Sequence, residues 1–265
     1  MPVLPERIAF QFAVLLASLS QRSPLKPEDQ AVLDAATQFE FGRGIRRVGW
    51  RWGSGPKVVL AHGWGGRAGQ MVKMADAIAA AGFEVVVFDG QSHGESGGRR
   101  IGFRKLTDDL NALDAALKSN IAAWVCHSAA GLCLAAARIR FGLSPKRIVC
   151  LATPRGPYIP VRELDQHLKL RSGVLERCRA FYAGEFGMSW QEMDRCAAFI
   201  HRGDVEMLLI QDRDDPRVED GDAERIAEAW GNAKVVYTDG LGHVKLLWSD
   251  EVAQRVIEFL RSANS

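Results

Sequence analysis

The sequence predicts an α/β fold: a mostly parallel central sheet with helices on both faces, and a small helical cap inserted late in the chain. Three observations predict it. From residue 57 onward, short apolar runs of strand length alternate with longer runs of helical spacing. The strand runs show no polar alternation, as a parallel sheet covered on both faces requires. The rhythm stops after Thr153 and resumes at Val205, and removing the block between leaves one unbroken pattern. Residues 1–153 with 205–265 are therefore expected to form the core, and residues 154–204 the cap.

The elements follow in order. Ile8 to Leu19 is apolar but too short to span a bilayer as a helix. Glu6 beside Arg7 denies it the basic leader of a secretory signal. It is expected to pack on the domain surface. Pro24 to Pro27 breaks the chain, and Glu28 to Thr37 reads as a second short helix. Gln38 to Phe41 and Val48 to Trp52 are rich in aromatic and branched residues and read as strands. Lys57 to Ala61 is the first buried strand. A helix over Ala68 to Ala81 ends at Gly82, and Phe83 to Phe88 is the second buried strand. Leu106, Leu110, Leu113 and Leu117 share one side of a helix over Phe103 to Leu117. Ile121 to Val125 and Arg147 to Leu151 supply two more strands. In the block that follows, Val161 to Leu170, Val174 to Ala183 and Ser189 to Phe199 read as short helices. The core resumes with a strand at Val205 to Ile210, a helix at Ala223 to Trp230, a strand at Ala233 to Tyr237 and a helix at Glu251 to Leu260.

Composition removes several function classes. A formal net charge of +2 is too mild to imply a nucleic-acid partner. Arg99, Arg100, Arg104 and Lys105 form a local basic cluster, read as a solvated patch. The five cysteines (Cys126, Cys133, Cys150, Cys178 and Cys196) are odd in number and include no C-x-x-C. That argues against a disulfide framework and against a zinc site. Free thiols and the lack of a targeting or membrane-spanning run make a cytoplasmic protein with no membrane partner the expectation.

The chemistry centres on Cys126-His127-Ser128-Ala129-Ala130-Gly131. An apolar strand breaks at one hydroxyl residue among small neighbours, and an alanine-rich helix follows at once. That is the outline of a nucleophile elbow, whose sharp turn needs small residues. Acyl transfer also needs a base, a group to orient it, and oxyanion donors. Each belongs at the C-terminal end of a strand, where the loops of an α/β sheet form a crevice. His243 follows the strand ending at Tyr237. Asp215 follows the strand ending at Ile210, with Asp212 and Asp214 close by as alternatives. Ser128 alone is equally compatible with a helix N-cap. Among the other histidines, His62 and His93 sit in glycine-containing loops and read as backbone architecture. His127 adjoins the nucleophile on a side chain expected to point away, and His167 and His201 lie in or near the cap.

In this order Ser128, Asp215 and His243 resemble the triad of the α/β-hydrolase superfamily, in its serine esterase and lipase branch. The resemblance runs from about Arg46 to Leu260. His62-Gly63-Trp64-Gly65-Gly66 is similar to the family's His-Gly oxyanion loop. It implies that the backbone N–H groups of Trp64 and Ala129 bind the oxyanion. Phe88 to Ser96 resembles a segment that is usually structural in such enzymes. The family likeness also places the acid three positions before an apolar residue, which selects Asp215 ahead of Val218. The elbow departs from G-x-S-x-G, with Cys126 and Ala130 in place of the two glycines; Cys126 is the larger departure, and some local adjustment is expected there. The resemblance implies a serine hydrolase acting on small or medium carboxylic esters, with no metal or organic cofactor. Thioester hydrolysis, C–C bond hydrolysis or perhydrolysis would use the same triad. A non-enzymatic ligand-binding protein of the same fold is the remaining alternative, because fold does not fix function.

Overall fold

The computed structural model describes residues 4–20, 22, 24–118, 120–200 and 204–262. Its strands are β1 (Thr37–Phe41), β2 (Arg47–Gly53), β3 (Lys57–Ala61), β4 (Glu84–Asp89), β5 (Ala123–His127), β6 (Arg147–Leu151), β7 (Glu206–Asp212) and β8 (Ala233–Thr238). They form one eight-stranded sheet in the order β1-β2-β4-β3-β5-β6-β7-β8. The pairs β1–β2 and β2–β4 are antiparallel, and every later pair is parallel. The sheet is thus mostly parallel, as the uninterrupted apolar runs required. Strand order reverses at β3, with β4 on one side and β5 on the other, and the C-terminal ends around that point are where a crevice opens.

Period-two alternation divides the core cleanly. Val59, Ala61, Val86, Trp124, Cys126 and Cys150 face one layer. Val58, Leu60, Val85, Val87, Val125 and Val149 face the other. The first layer is built by α4 (Phe103–Ala116), α5 (Ala129–Phe141) and α9 (Asp222–Trp230). The second is built by α2 (Pro27–Ala35), α3 (Val72–Ala80) and α11 (Asp250–Arg261). Between β6 and β7 the chain forms α6 (Tyr158–Leu168), α7 (Ser172–Gly184) and α8 (Trp190–Asp194). The first helix, α1 (Glu6–Ser18), lies against α7 and α6, with Phe10 edge-on to Phe181 at 5.9 Å. Among the described residues no helix is long and apolar enough to cross a membrane.

Two differences from the sequence reading have plain causes. The predicted Ser189–Phe199 helix is split: Ser189 and Glu192 form a capping box at the start of α8, but Cys196 takes φ 58° and a 3₁₀ turn follows. The strand predicted at Ile121–Val125 runs instead to His127. Pairing of Ala123 through His127 with Arg147 through Leu151 sets its ends, and a cross-strand register is invisible along one segment.

Candidate active site

The end of β5 leads straight into α5, and Ser128 is the residue of the turn, at φ 53° and ψ −124°. A non-glycine residue in such a conformation costs of order 1–3 kcal/mol and persists only where its surroundings fix it. The surroundings here do so. The Ser128 N–H donates to Leu151 O at 2.8 Å, and Ser128 O accepts from Gly131 N at 3.1 Å. On the opposite side, a Cβ on Gly63 would stand 2.9 Å from Ser128 Cβ and 3.0 Å from His127 O. Only glycine lets the loop after β3 approach this closely.

The turn forms with Cys126 in place. That side chain lies in β5 beside Ala61 and Cys150, wholly buried, and burial raises its thiol pKa far above the ordinary range. Close packing demands glycine one turn later. A Cβ on Gly131 would collide with Thr153 Oγ1 and stand 3.1 Å from Cys150 Sγ. Gly131 therefore seats α5 against the end of β6.

His243 lies on a single helical turn, α10 (Gly242–Lys245), after β8. Four residues are too few to show helical spacing, so the sequence reads as a loop. Its Nε2 is 3.0 Å from Ser128 Oγ, and its Nδ1 is 2.8 Å from Asp215 Oδ2. An ionised carboxylate only accepts, so the proton of the neutral ring sits on Nδ1 and the Nε2 lone pair faces the hydroxyl. Asp215 is itself held. Its Oδ1 accepts from Arg217 N at 2.8 Å and Val218 N at 3.2 Å, and Gln211 Nε2 lies 3.4 Å from Oδ2. Burial pushes the carboxyl pKa up, but the hydrogen bond and charge of His243, with the two N–H groups, outweigh it and hold the carboxyl below its usual value.

The other two aspartates have different partners. Asp212 accepts from Thr238 Oγ1 at 2.7 Å, Leu241 N at 3.0 Å and Gly242 N at 2.8 Å. Asp214 accepts from Gly240 N at 2.8 Å. Both shape the loop that carries His243, and neither touches the ring. The sequence missed this part for Asp212. The signal lies in pairing, because Asp212 is in register with Thr238 at the ends of adjacent strands.

Three of the other histidines, His127, His62 and His93, are braces. The His127 ring lies 4.9 Å from that of His243, and its Nε2–H donates to His243 O at 2.8 Å. The expectation that its side chain points away from the site fails: the ring lines the same cavity and fixes the backbone of His243. His62 Nε2 accepts from Gly90 N at 3.0 Å and its Nδ1–H donates to Gly63 O at 2.8 Å. His93 Nε2 accepts from Gly65 N at 3.2 Å and its Nδ1–H donates to Gln91 O at 3.0 Å. Two neutral imidazoles thus tie the loop after β3 to the loop after β4, on either side of Trp64. Burial lowers their pKa values to about 4 for His62 and about 3 for His93, and that of His127 to about 3. His167 lies on α6, its Nδ1–H donating to Glu163 O at 2.7 Å. His201 lies outside the described residues.

Trp64 N and Ala129 N find no hydrogen-bond acceptor among the described residues. Ala129 opens α5, so its N–H also lies at the positive end of a helix dipole. A cavity of about 530 Å³ opens over Ser128 and His243, with Gly65, Leu16, Leu164 and Arg217 among its walls. Among the described residues no cluster of three or more His, Cys, Asp or Glu is arranged to hold a metal ion.

The model of the alpha/beta hydrolase family matches residues 58–259, from the first strand of the parallel sheet to the last helix. The chain belongs to this family. No curated protein matches it. Among solved structures it is similar to the esterase Pf2001 of Pyrococcus furiosus, at 21% identity and a TM-score of 0.65, over 92% of this chain and 96% of that one. It is similar to a malate-bound thermophilic esterase from Thermogutta terrifontis, at 16% identity and TM-score 0.63, over 87% and 100% of the two chains. It also resembles a thioesterase domain from the curacin biosynthetic pathway, at 16% identity and TM-score 0.56, over 84% and 99%. At such identities these likenesses speak for the fold. Inside the family match fall the Gly63 loop, the turn at Ser128, Asp215 and His243.

Proposed function

We propose that this alpha/beta hydrolase is a serine hydrolase cleaving small or medium carboxylic esters through an acyl-enzyme, and that it acts in the cytoplasm. The observation that carries the reading is the continuous hydrogen-bonded chain Ser128 Oγ, His243, Asp215. His243 Nε2 takes the Ser128 proton as Oγ attacks the ester carbonyl carbon. Asp215 keeps the ring in the Nδ1–H tautomer and stabilises the imidazolium that forms. The carbonyl oxygen, now an oxyanion, is met by the Trp64 and Ala129 N–H groups, which have no acceptor among the described residues. His243 then gives its proton to the leaving alcohol, and in the second half-reaction takes one from water, which releases the acid.

The size of the cavity supports a small or medium ester. Pro160, Leu164 and Leu168 of α6 form part of its wall, which supports residues 154–204 as a cap that sets pocket depth. Five buried free thiols support a reducing compartment.

Ser128→Ala is expected to abolish ester hydrolysis and labelling by a fluorophosphonate probe while the protein stays folded. Full activity in that variant would sink the assignment. A panel of nitrophenyl esters of increasing acyl length, with a thioester included, ranks the substrate classes. Failure of the native chain to label at all would favour a ligand-binding protein.

A further inference from the structure

The first helix buries one side and leaves the other uncovered. Ala13 and Ser18 are buried, and Phe10 meets Phe181 of α7. On the outer side Ile8, Phe12, Leu15, Leu16 and Leu19 recur at helical spacing, exposed by 49%, 54%, 37%, 42% and 48%, with Leu4 at 53% ahead of them. Large apolar side chains gathered along one exposed helical face mark an interaction surface rather than ordinary scatter.

Cations stand at both ends of this face, with Glu163 on the wall of the shared cavity and Glu185 against Gly102 as the carboxylates near its C-terminal end. Its polar members are Arg7 and Gln11. Glu6 turns away, against Gly173 and 4.0 Å from Arg177. At the start of α1, the Arg171 guanidinium donates to Leu4 O at 2.6 Å. At its end, Leu19 forms a β-bridge with Arg100, and Lys105 Nζ donates to Arg100 O at 2.7 Å. Arg22 reaches Ser96 O at 2.8 Å and Gly98 O at 3.1 Å beside it. The basic cluster at residues 99–105 thus borders the apolar face. Leu16, Ala17 and Leu19 also line the cavity over Ser128, so whatever covers α1 faces the cavity entrance.

We propose that α1 docks this protein onto an anionic phospholipid surface, apolar side chains in the acyl boundary and the flanking arginines and lysine on the headgroups. A second copy of the chain fits the charges poorly. With cations at both ends of α1, two-fold pairing in either direction sets cation against cation, which disfavours association. An anionic bilayer satisfies both ends and the apolar face together. The sequence expectation of no membrane partner rested on the length of the apolar run. Length forbids that run from crossing a bilayer but not from lying on one.

The test is co-sedimentation of the full chain with vesicles of phosphatidylcholine alone, or of equal parts phosphatidylcholine and phosphatidylglycerol. The native protein is expected to sediment with the anionic vesicles and less with the neutral ones. Ile8→Ser with Phe12→Ser removes exposed side chains that do not line the cavity, so hydrolysis of a soluble ester stays unchanged while vesicle affinity falls about tenfold or more. Arg100→Glu with Lys105→Glu is expected to erase the preference for anionic vesicles. Ser128→Ala should bind vesicles like the native chain, so failure of the proposed chemistry would leave this test standing. The proposal is overturned if the native protein ignores both vesicles, or if the serine variants sediment as it does. It is equally overturned if the native chain is a dimer that Phe12→Ser dissociates and that does not bind lipid.

Discussion

A carboxylate that orients an imidazole must itself be held, and Asp215 is held by two backbone N–H groups on one oxygen while the other faces His243 Nδ1. Asp215→Asn would keep the shape but offer an amide that can donate to the ring. The wrong tautomer would then be favoured, with no lone pair toward Ser128. The expected loss in kcat is on the order of 10³–10⁴-fold, as the tautomer argument gives in serine proteases. Asp212→Asn tests the contrast. It weakens acceptors for Leu241 and Gly242 N–H without touching the ring. A lowered unfolding midpoint, worth about 1–3 kcal/mol for a buried group left unsatisfied, is expected with a much smaller kcat loss. Steady-state kinetics and urea unfolding of the two variants decide it. The assignment of the acid fails if Asp212→Asn proves the more damaging to kcat.

Elements set where these residues can act. The loop after β3 carries Trp64 but has no regular structure to stiffen it. Stiffness comes from its neighbours: the His62 and His93 imidazoles, and Asp89, whose Oδ1 accepts from Ala68 N at 2.7 Å. The loop after β4 is anchored in turn, because Gln91 N donates to Asp109 Oδ2 at 2.6 Å and Asp109 pairs with Arg47 at 2.5 Å in the interior. His93→Ala would leave Gly65 N–H without its acceptor and loosen the loop beside Trp64. Oxyanion donors matter most in the transition state. A fall in kcat of roughly two- to tenfold with little change in KM is expected, from a hydrogen bond worth about 0.5–1.5 kcal/mol. His93→Gln, which restores an acceptor, should recover part of it. An unchanged kcat in His93→Ala would remove His93 from any positioning part.

At the scale of the molecule, three buried neutral histidines tie stability to pH. His62, His93 and His127 have folded pKa values of about 4, 3 and 3, all below the ordinary histidine value. Between those values and about 6.5 the unfolded chain binds more protons than the folded one. Their contribution is therefore complete above the ordinary histidine range and is lost as pH falls toward the folded values, each by up to about 1.4 kcal/mol per pH unit. Asp109 works the other way, its pKa raised to about 6 chiefly by burial, so ionising it costs stability as pH rises through that value. Burial also raises the pKa values of Asp29, Glu185 and Asp222, while in Asp212 and Asp215 burial is outweighed by hydrogen bonds, which lower them. Asp109 is the carboxyl raised as far as about 6, and against it the three histidines give a net expectation of a lower urea midpoint at pH 5.5 than at pH 7.5. Equal midpoints would contradict it.

Much of this protein is legible in the chain itself. Strands buried on both faces leave unbroken apolar runs, so the parallel sheet and its alternation with helices are written locally. The order of Ser128, Asp215 and His243, each after a strand, is also linear information, because a parallel sheet gathers its C-terminal loops on one edge. The choice among Asp212, Asp214 and Asp215 is of another kind. The residues share chemistry and neighbourhood, and only the path of the backbone decides which oxygen reaches His243 and which ones fold the loop beneath it. The same holds for Gly131, needed because Thr153 stands against it, and for His127, turned toward His243 rather than away. The open face of α1 belongs here as well. Its apolar spacing is plain in the sequence, but which side is covered depends on where α7 lies. Local pattern determines what a segment can form, whereas contacts between residues far apart in sequence are set by close packing of the whole chain.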